Sequence, residues 1–424
     1  MDRAGKIALL VRHNHLPAET AELLNRYLHS QDQALFDDIS ENTLSNFLLP
    51  YGVAPNFRIN GTTYVVPMVT EESSVVAAAA KGARFWAAHG GFQTKVVQTL
   101  KLGQIVFTHH GSEDQLQQLL PQLREHLVHA IGHLTANMER RGGGIRSMAI
   151  HRIENVPHTW QLLVGFDTAD SMGANFINTC LEMMAPELQL FLEKQFPELP
   201  SPEIVMAILS NYTPDCLVEC TVSCPVDALA ELAGSLSPLA FARKFERAVL
   251  VARHDVHRAV THNKGIMNGV DAVVVATGND FRAVEAGVHA YAAAGGRYRG
   301  LTQVDLSDTH FTYRLQLPLA LGTVGGLTGV HPLAKLSLTL LQNPDAPRLM
   351  EIAAAAGMAN NFMAITSLVT HGIQKGHMKM HLSNILNSLG ATSAEKELAF
   401  IHFQSQTVSY SQVDGFLKKM RHHD

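Results

Sequence analysis

Between Thr261 and Asp280 a lysine and a carboxylate flank an apolar run in a stretch rich in glycine. Thr261-His262-Asn263-Lys264-Gly265-Ile266-Met267-Asn268-Gly269-Val270 flows through Ala272 to Ala276 into Thr277-Gly278-Asn279-Asp280. Glycine adopts backbone shapes other residues avoid and leaves little side chain in a ligand's way, so the pattern predicts permissive turns that bring the Lys264 ammonium against a substrate carbonyl. Lys264 is the first catalytic candidate.

The 424 residues are 46% hydrophobic and 17% charged, which suits two or three globular domains. A net charge near −5 argues against a nucleic-acid binder or a polybasic membrane-surface protein, and so for a small-molecule partner. No apolar run approaches the roughly 18 residues that span a bilayer, and Ile7 to Val11 is cut short by Arg12 and His13, so a cytoplasmic protein is expected. Cys216, Cys220 and Cys224 fall in a Val- and Thr-rich segment that stops at Pro225 and reads as a strand. On a strand successive thiols share a face but stand about 13 Å apart, too far to converge on one ion. They read as structural thiols, and no metal site is expected.

Residues 1 to about 50 carry helical patterning, with a helix start near Pro17-Ala18-Glu19-Thr20. Asn60-Gly61 between alternating apolar runs predicts a hairpin. Ser73-Ser74 is placed to cap a helix from Val75 to Ala88 that stops at Gly90-Gly91, leaving Glu72 at the helix mouth. From about Gly103 the pattern becomes strand (Ile105 to Thr108), one helix (Glu113 to about Arg140), Gly142-Gly143-Gly144, a strand pair ending at Phe166, and a helix from about Asp170. The expected fold is α/β (α+β). Residues 1–104 and 216–374 form a large domain, 105–215 an inserted smaller one, and 375–424 a mobile helical C-terminal flap with Gly376 as a hinge.

Asp167-Thr168-Ala169-Asp170-Ser171-Met172-Gly173-Ala174-Asn175 joins a strand to a helix, and its small residues would admit a dinucleotide pyrophosphate to the positive helix end. It is not a G-x-G-x-x-G fingerprint, and Asp170 or Ser171 as a helix cap, with Gly173 for close packing, is the plainer reading. Asp280 is likewise a good N-cap for the segment that follows it. A helix mouth favours the charged form of Glu72, which opposes a proton-donor role unless a neighbour raises its pKa. His377 and His381 stand four apart as zinc-binding pairs do, but no H-E-x-x-H glutamate accompanies them; a lone histidine on a flap suits proton delivery.

Taken in order, Glu41-Asn42, Val66 to Ala77 with Glu71-Glu72-Ser73-Ser74, Asp170 to Asn175, Thr261 to Gly269, Ala276 to Gly287, and Gly372 to His381 resemble hydroxymethylglutaryl-CoA reductase of the soluble, bacterial class. The resemblance runs from about residue 40 to about residue 385. It implies a large domain holding an acyl-CoA, an inserted NAD(P)-binding domain and a C-terminal flap. It also implies a homodimer, or an assembly of dimers, with active sites at subunit interfaces. The family reaction reduces hydroxymethylglutaryl-CoA to mevalonate and CoA with two hydrides from NADH or NADPH, through mevaldyl-CoA and mevaldehyde.

By the same resemblance Lys264 polarises the carbonyl and holds its oxyanion, Asp280 orients this network, Glu72 supplies a proton at the carbonyl oxygen, and His377 protonates the departing thiolate. Nearness to Asp280 would raise the pKa of Glu72. Ser74 and Arg258 match positions at the substrate's carboxylate or hydroxyl end, and Asn211 and Asn268 match polar contacts near the reacting centre. Asp170, Met172, Gly173, Asn175, Thr135 and Arg146 are the cofactor candidates. NADH-using relatives can carry an acid where Thr135 stands, so strict exclusion of NADPH is not expected. Arg140, Arg141 and Arg146 can meet a phosphate, and a solvated face is the plainer reading of the first two. The family's Glu-Asn-x-x-Gly ends in Ser45 here and its Glu-Pro-Ser reads Glu72-Ser73-Ser74, which touches CoA binding more than chemistry. A catalytically silent CoA-thioester or dinucleotide-binding relative is the competing reading, and the direction of the reaction is not set by sequence.

Overall fold

The computed structural model describes every residue except 18, 371, 373–381, 404–405, 407 and 422–424. The chain divides into two units, Met1–Tyr51 and Gly52–Asp424. The first holds three short helices, α1 (Arg3–His13), α2 (Thr20–Arg26) and α3 (Gln33–Ile39). Asp2 caps α1 by accepting from the Gly5 N–H at 2.9 Å, and Ser45 donates its hydroxyl to the Leu24 carbonyl at 2.6 Å.

The second unit opens with the expected hairpin, β1 (Tyr51–Ile59) and β2 (Thr62–Val69). Asn60 and Gly61 take φ of 48° and 86°, the doubly left-handed turn whose twist matches that of the strands. Helix α4 (Val75–Ala88) has the predicted bounds and ends in a Gly91 N–H to Trp86 carbonyl bond of 2.8 Å. Its N-cap differs from expectation: Ser74 sits at φ 74° with no side-chain cap bond, so its hydroxyl is left for other partners.

Strands β3 (Gln93–Val96), β8 (Leu217–Pro225), β9 (Thr302–Leu306) and β10 (His310–Pro318) form an antiparallel sheet ordered β3-β8-β10-β9. Strand alternation turns Val218, Cys220, Val222 and Cys224 inward beside Phe311, Tyr313, Leu315 and Leu317. The cysteines are free and buried, as a strand of structural thiols requires; burial pushes Cys216 up to about 11 and Cys224 to about 12.

Against this sheet pack α8 (Pro238–His254) and α12 (Ala346–Val369), and α9 (Val256–Ala276) packs in turn on both of these helices and on β2. The sequence reading overlooked α12: by length and composition it could cross a membrane, yet 83% of its most apolar window is buried in the core. Helices α9 and α12 meet backbone to backbone. A Cβ on Gly269 would stand 2.3 Å from the Ala356 carbonyl oxygen, and one on Gly357 would stand 2.7 Å from Val270.

The inserted sheet, ordered β5-β6-β4-β7, comprises β4 (Lys101–Thr108), β5 (Gly144–Arg152), β6 (Thr159–Asp167) and β7 (Ile204–Ser210), all antiparallel. Because β4 starts at Lys101, a division at 104/105 falls inside a strand. Helices α5 (Glu113–Ala130) and α7 (Ala174–Gln195) cover the sheet with Leu116, Leu123, Leu127, Ile177, Leu181 and Leu188. The single helix expected to run to Arg140 is broken after Ala130 and resumes as α6 (Gly132–Arg140), at a glycine whose helix propensity is poor. Beyond α12, residues 382–388 are helical. Helices α13 (Ser393–His402) and α14 (Tyr410–Arg421) share a small core of Leu382, Leu386, Phe403, Val413 and Leu417 with that segment.

Candidate active site

Lys264 lies in the middle of α9, so the turns expected around it are absent. Ile266, Met267, Val270, Val273 and Val274 recur at helical spacing and are buried, and the close approach of α12 accounts for Gly269 in a helix interior. Asp255 caps the helix by accepting from the Arg258 N–H at 2.8 Å. Arg258, Thr261, Lys264, Gly265 and Asn268 then line one wall of a cleft of about 400 Å³.

Glu72 and Ser74 come to the same cleft from the loop between β2 and α4. The Glu72 N–H donates to Thr70 Oγ1 at 3.1 Å, and its carboxylate is hydrogen-bonded and ion-paired to the Lys264 ammonium. Both side chains stay partly open, at 56% exposure for Lys264 and 40% for Glu72, so an incoming carbonyl can reach them. Burial holds the Arg258 pKa below its ordinary value, and a guanidinium in a protein keeps its charge. The sequence reading missed two residues of this cleft, Asn360 and Asn361. Asn360 Nδ2 donates to the Val75 carbonyl at 2.9 Å, and Asn361 Nδ2 donates to the His262 carbonyl at 2.7 Å while its Oδ1 accepts from Tyr313. Paired asparagines inside an Ala-rich helix, where their propensity is poor, were the available signal.

Asp280 is elsewhere. It caps α10 (Phe281–Ala293), accepting from the N–H groups of Arg282 at 3.0 Å and Ala283 at 3.2 Å. Burial works against its charged form, but the Arg282 side chain and these N–H groups outweigh it and hold its pKa below the carboxylate norm. Twelve residues of α9, about 18 Å at 1.5 Å each, separate Lys264 from Ala276, and Asp280 follows four residues later. Within one chain Asp280 therefore meets neither Lys264 nor Glu72, and the expected pairing of the two carboxylates does not occur there.

What Asp280 faces is a second cavity, of about 900 Å³, shared with Ser171, Met172, Gly173 and Asn175. Helix α7 begins at Ala174 with Gly173 at φ 93° as its N-cap and no side-chain acceptor on its first N–H groups, so neither Asp170 nor Ser171 caps it. Asp170 instead accepts from the Ala346 N–H at 3.1 Å, and Ser171 donates to the Thr168 carbonyl at 3.0 Å. A Cβ on Gly173 would stand 2.4 Å from Thr168. An uncapped helix start with a backbone this bare suits a phosphate.

The remaining candidates scatter. Arg146, on β5, pairs with Asp167 at 3.6 Å and donates to the Gly142 carbonyl. Thr135 is buried with its hydroxyl turned to the Gly132 carbonyl at 3.4 Å. Asn211 is exposed just past β7, outside both cavities. His377, His381 and Gly376 lie outside the described residues.

One cluster had no forewarning. Asp271, two turns past Lys264, is hydrogen-bonded to Glu285, whose Oε2 lies 2.5 Å from His289 Nε2; His289 Nδ1 lies 2.7 Å from the Tyr298 hydroxyl. Burial first, then the contact with Glu285 and the charges of Glu285 and Glu71, push Asp271 up to about 9, so the carboxyl pair holds a proton at neutral pH.

The family profile of hydroxymethylglutaryl-coenzyme A reductase matches residues 8–382. The 3-hydroxy-3-methylglutaryl-coenzyme A reductase of Archaeoglobus fulgidus is 36% identical over 85% of this chain and 79% of its own. The probable enzyme of Borreliella burgdorferi is 32% identical over 93% of this chain and 89% of its own. A class II reductase from Streptococcus pneumoniae, solved bound to NADPH in open conformations, superposes with a TM-score of 0.74 at 34% identity, over 87% of this chain and 98% of that one. A match spanning both sheets, the lysine cleft and the uncapped α7 loop leaves one assignment: the chain belongs to the hydroxymethylglutaryl-coenzyme A reductase family.

Proposed function

We propose that this protein catalyses the NAD(P)H-dependent reduction of hydroxymethylglutaryl-CoA to mevalonate and CoA, or its reverse, in the cytoplasm. The observation that carries the reading is the Lys264–Glu72 pair beside Arg258 in one open cleft. A bound NADH or NADPH would supply the hydride, once to the thioester carbon and once to the aldehyde carbon.

Lys264 receives the carbonyl oxygen and stabilises the negative charge that each hydride addition places on it. Glu72, held at the same ammonium, gives that oxygen its proton. When the hemithioacetal collapses, its hydroxyl proton returns to Glu72, the C–S bond breaks, and the thiolate takes a proton from His377. Glu72 then protonates the alcohol, so each turnover draws one proton through Glu72 and one through His377. Arg258 offers a forked cation to the substrate's free carboxylate, with Ser74 and Asn268 as the neutral partners.

The uncapped start of α7 supplies N–H groups for the dinucleotide pyrophosphate, with Met172, Gly173 and Asn175 around it and Arg146 as a further cation. The helix length between Lys264 and Asp280 supports a homodimer, alone or in larger assemblies, in which the partner subunit's Asp280 and α7 loop complete the site around Lys264. Oxidation of NADPH and NADH, followed at 340 nm with hydroxymethylglutaryl-CoA and with Lys264→Ala as control, tests the reading. Lysine-dependent oxidation supports it; ligand binding without oxidation would favour a silent relative.

A further inference from the structure

Lys101 opens β4 at 4% exposure, and no carboxylate is ion-paired with it among the described residues. Its Nζ donates to Thr168 Oγ1 at 2.8 Å and to the Ser171 carbonyl at 3.3 Å. Thr168 closes the triangle by donating its own hydroxyl to that carbonyl at 2.7 Å. The ammonium thus sits directly behind the turn that leads into the uncapped N-terminus of α7, and Thr168 also packs against Gly173.

Burial pulls the Lys101 pKa below the lysine norm, while Cys216, Asp167 and Asp170 pull it back. Each of these neighbours has other work. Asp167 pairs with Arg146 and accepts from the Ala169 N–H, Asp170 accepts from the Ala346 N–H, and the Cys216 thiol donates to the Leu319 carbonyl. A cation so enclosed costs the fold stability. Removing it orphans nothing, because the Thr168 hydroxyl keeps its bond to Ser171. A purely structural role is therefore a poor explanation for it.

We propose that Lys101 is a positioning residue for the dinucleotide: it holds the Thr168–Ser171 turn in the shape that aims the α7 N–H groups at the pyrophosphate and places a fixed positive charge behind them. This rests on the reductase reading, and its failure is separable from that reading because dinucleotide binding can be measured without thioester. The charge reaches the phosphate through one layer of loop, where screening by water is weak.

The test compares the full-length protein with Lys101→Met and Lys101→Gln. It reads NADPH and NADH dissociation constants by nicotinamide fluorescence, steady-state constants for dinucleotide and thioester, and melting temperature. Both variants should weaken dinucleotide binding about tenfold, the loss of one charge-assisted contact. The thioester KM and kcat at saturating dinucleotide should change little, and Lys101→Met should melt no lower than the parent. In the parent the dinucleotide KM should climb as pH rises through the depressed lysine pKa, and in Lys101→Met the profile should be flat. Unchanged dinucleotide affinity, a parallel rise in both KM values, or a parent profile as flat as the variant's overturns the proposal. Should the parent bind dinucleotide but reduce no thioester, the reductase reading fails while the affinities still decide the role of Lys101.

Discussion

Lys264 and Asp280 lie at opposite ends of the C-terminal half of α9, about 18 Å of helix plus a four-residue turn apart. One lines the cleft with Glu72, and the other lines the cavity with the α7 loop. On the roles proposed for them, two residues of one reaction held apart by a helix braced along its length call for a second copy of the chain.

Lys264→Ala and Asp280→Asn should each be inactive as homodimers, yet mixing them under subunit exchange should recover activity. A mixed dimer carries one site with both residues intact, and half of the dimers are mixed, so about a quarter of wild-type activity is expected. No recovery after exchange proven by mass spectrometry would mean that the two act within one chain.

Lys264→Ala alone should lower kcat by at least about a hundredfold, on the order of 3 kcal/mol of oxyanion stabilisation. Thioester binding, measured by calorimetry, should persist through Arg258. Near-normal turnover would remove the lysine from the mechanism.

Asp271 carries its proton up to about 9 in the folded chain, whereas an unfolded aspartate loses it near pH 4. Between those values the native state binds more protons than the unfolded one, so this group's contribution to stability falls as pH rises. Glu285, held low mainly by His289, acts only below the ordinary carboxylate range. Asp271→Asn should therefore flatten the melting temperature from about pH 5 to about pH 9 and gain on the parent toward the alkaline end. Parallel profiles would show that the pair does not share a proton.

Gly269→Ala would drive a methyl group to 2.3 Å from the Ala356 carbonyl oxygen. The improved helix propensity is worth about 1 kcal/mol, against about 1–3 kcal/mol for overpacking. Calorimetry should show a net loss of stability, and an unchanged melting temperature would show that α12 can yield.

The hairpin at Asn60-Gly61, the α4 bounds and the inward cysteines were legible because each rests on local chemistry or a two-residue period. The Lys264 turn misled because glycine has two uses: freedom of backbone, and room for a neighbour. The sequence around Gly265 and Gly269 looks alike in both cases, and only the presence of Ala356 and Gly357 across the interface decides for the second. Asp170 was misread for a related reason, since an acid near a helix start can serve another helix altogether, here α12. Glu72, Lys264, Arg258, Ser74 and Asn268 were named together through the resemblance, and they line one cleft. Lys101 and Asn361 went unnoticed because their partners lie far away in sequence.

The glycine contact between α9 and α12 sets a limit on how such a protein can work. A helix pressed backbone to backbone along its neighbour can neither slide nor roll without breaking the contact, so the base of Lys264 is a fixed post. On the proposed function, opening and closing around the substrate then falls to the parts hung from the ends of this frame, and new substrate preferences must be written into the loops that face the post.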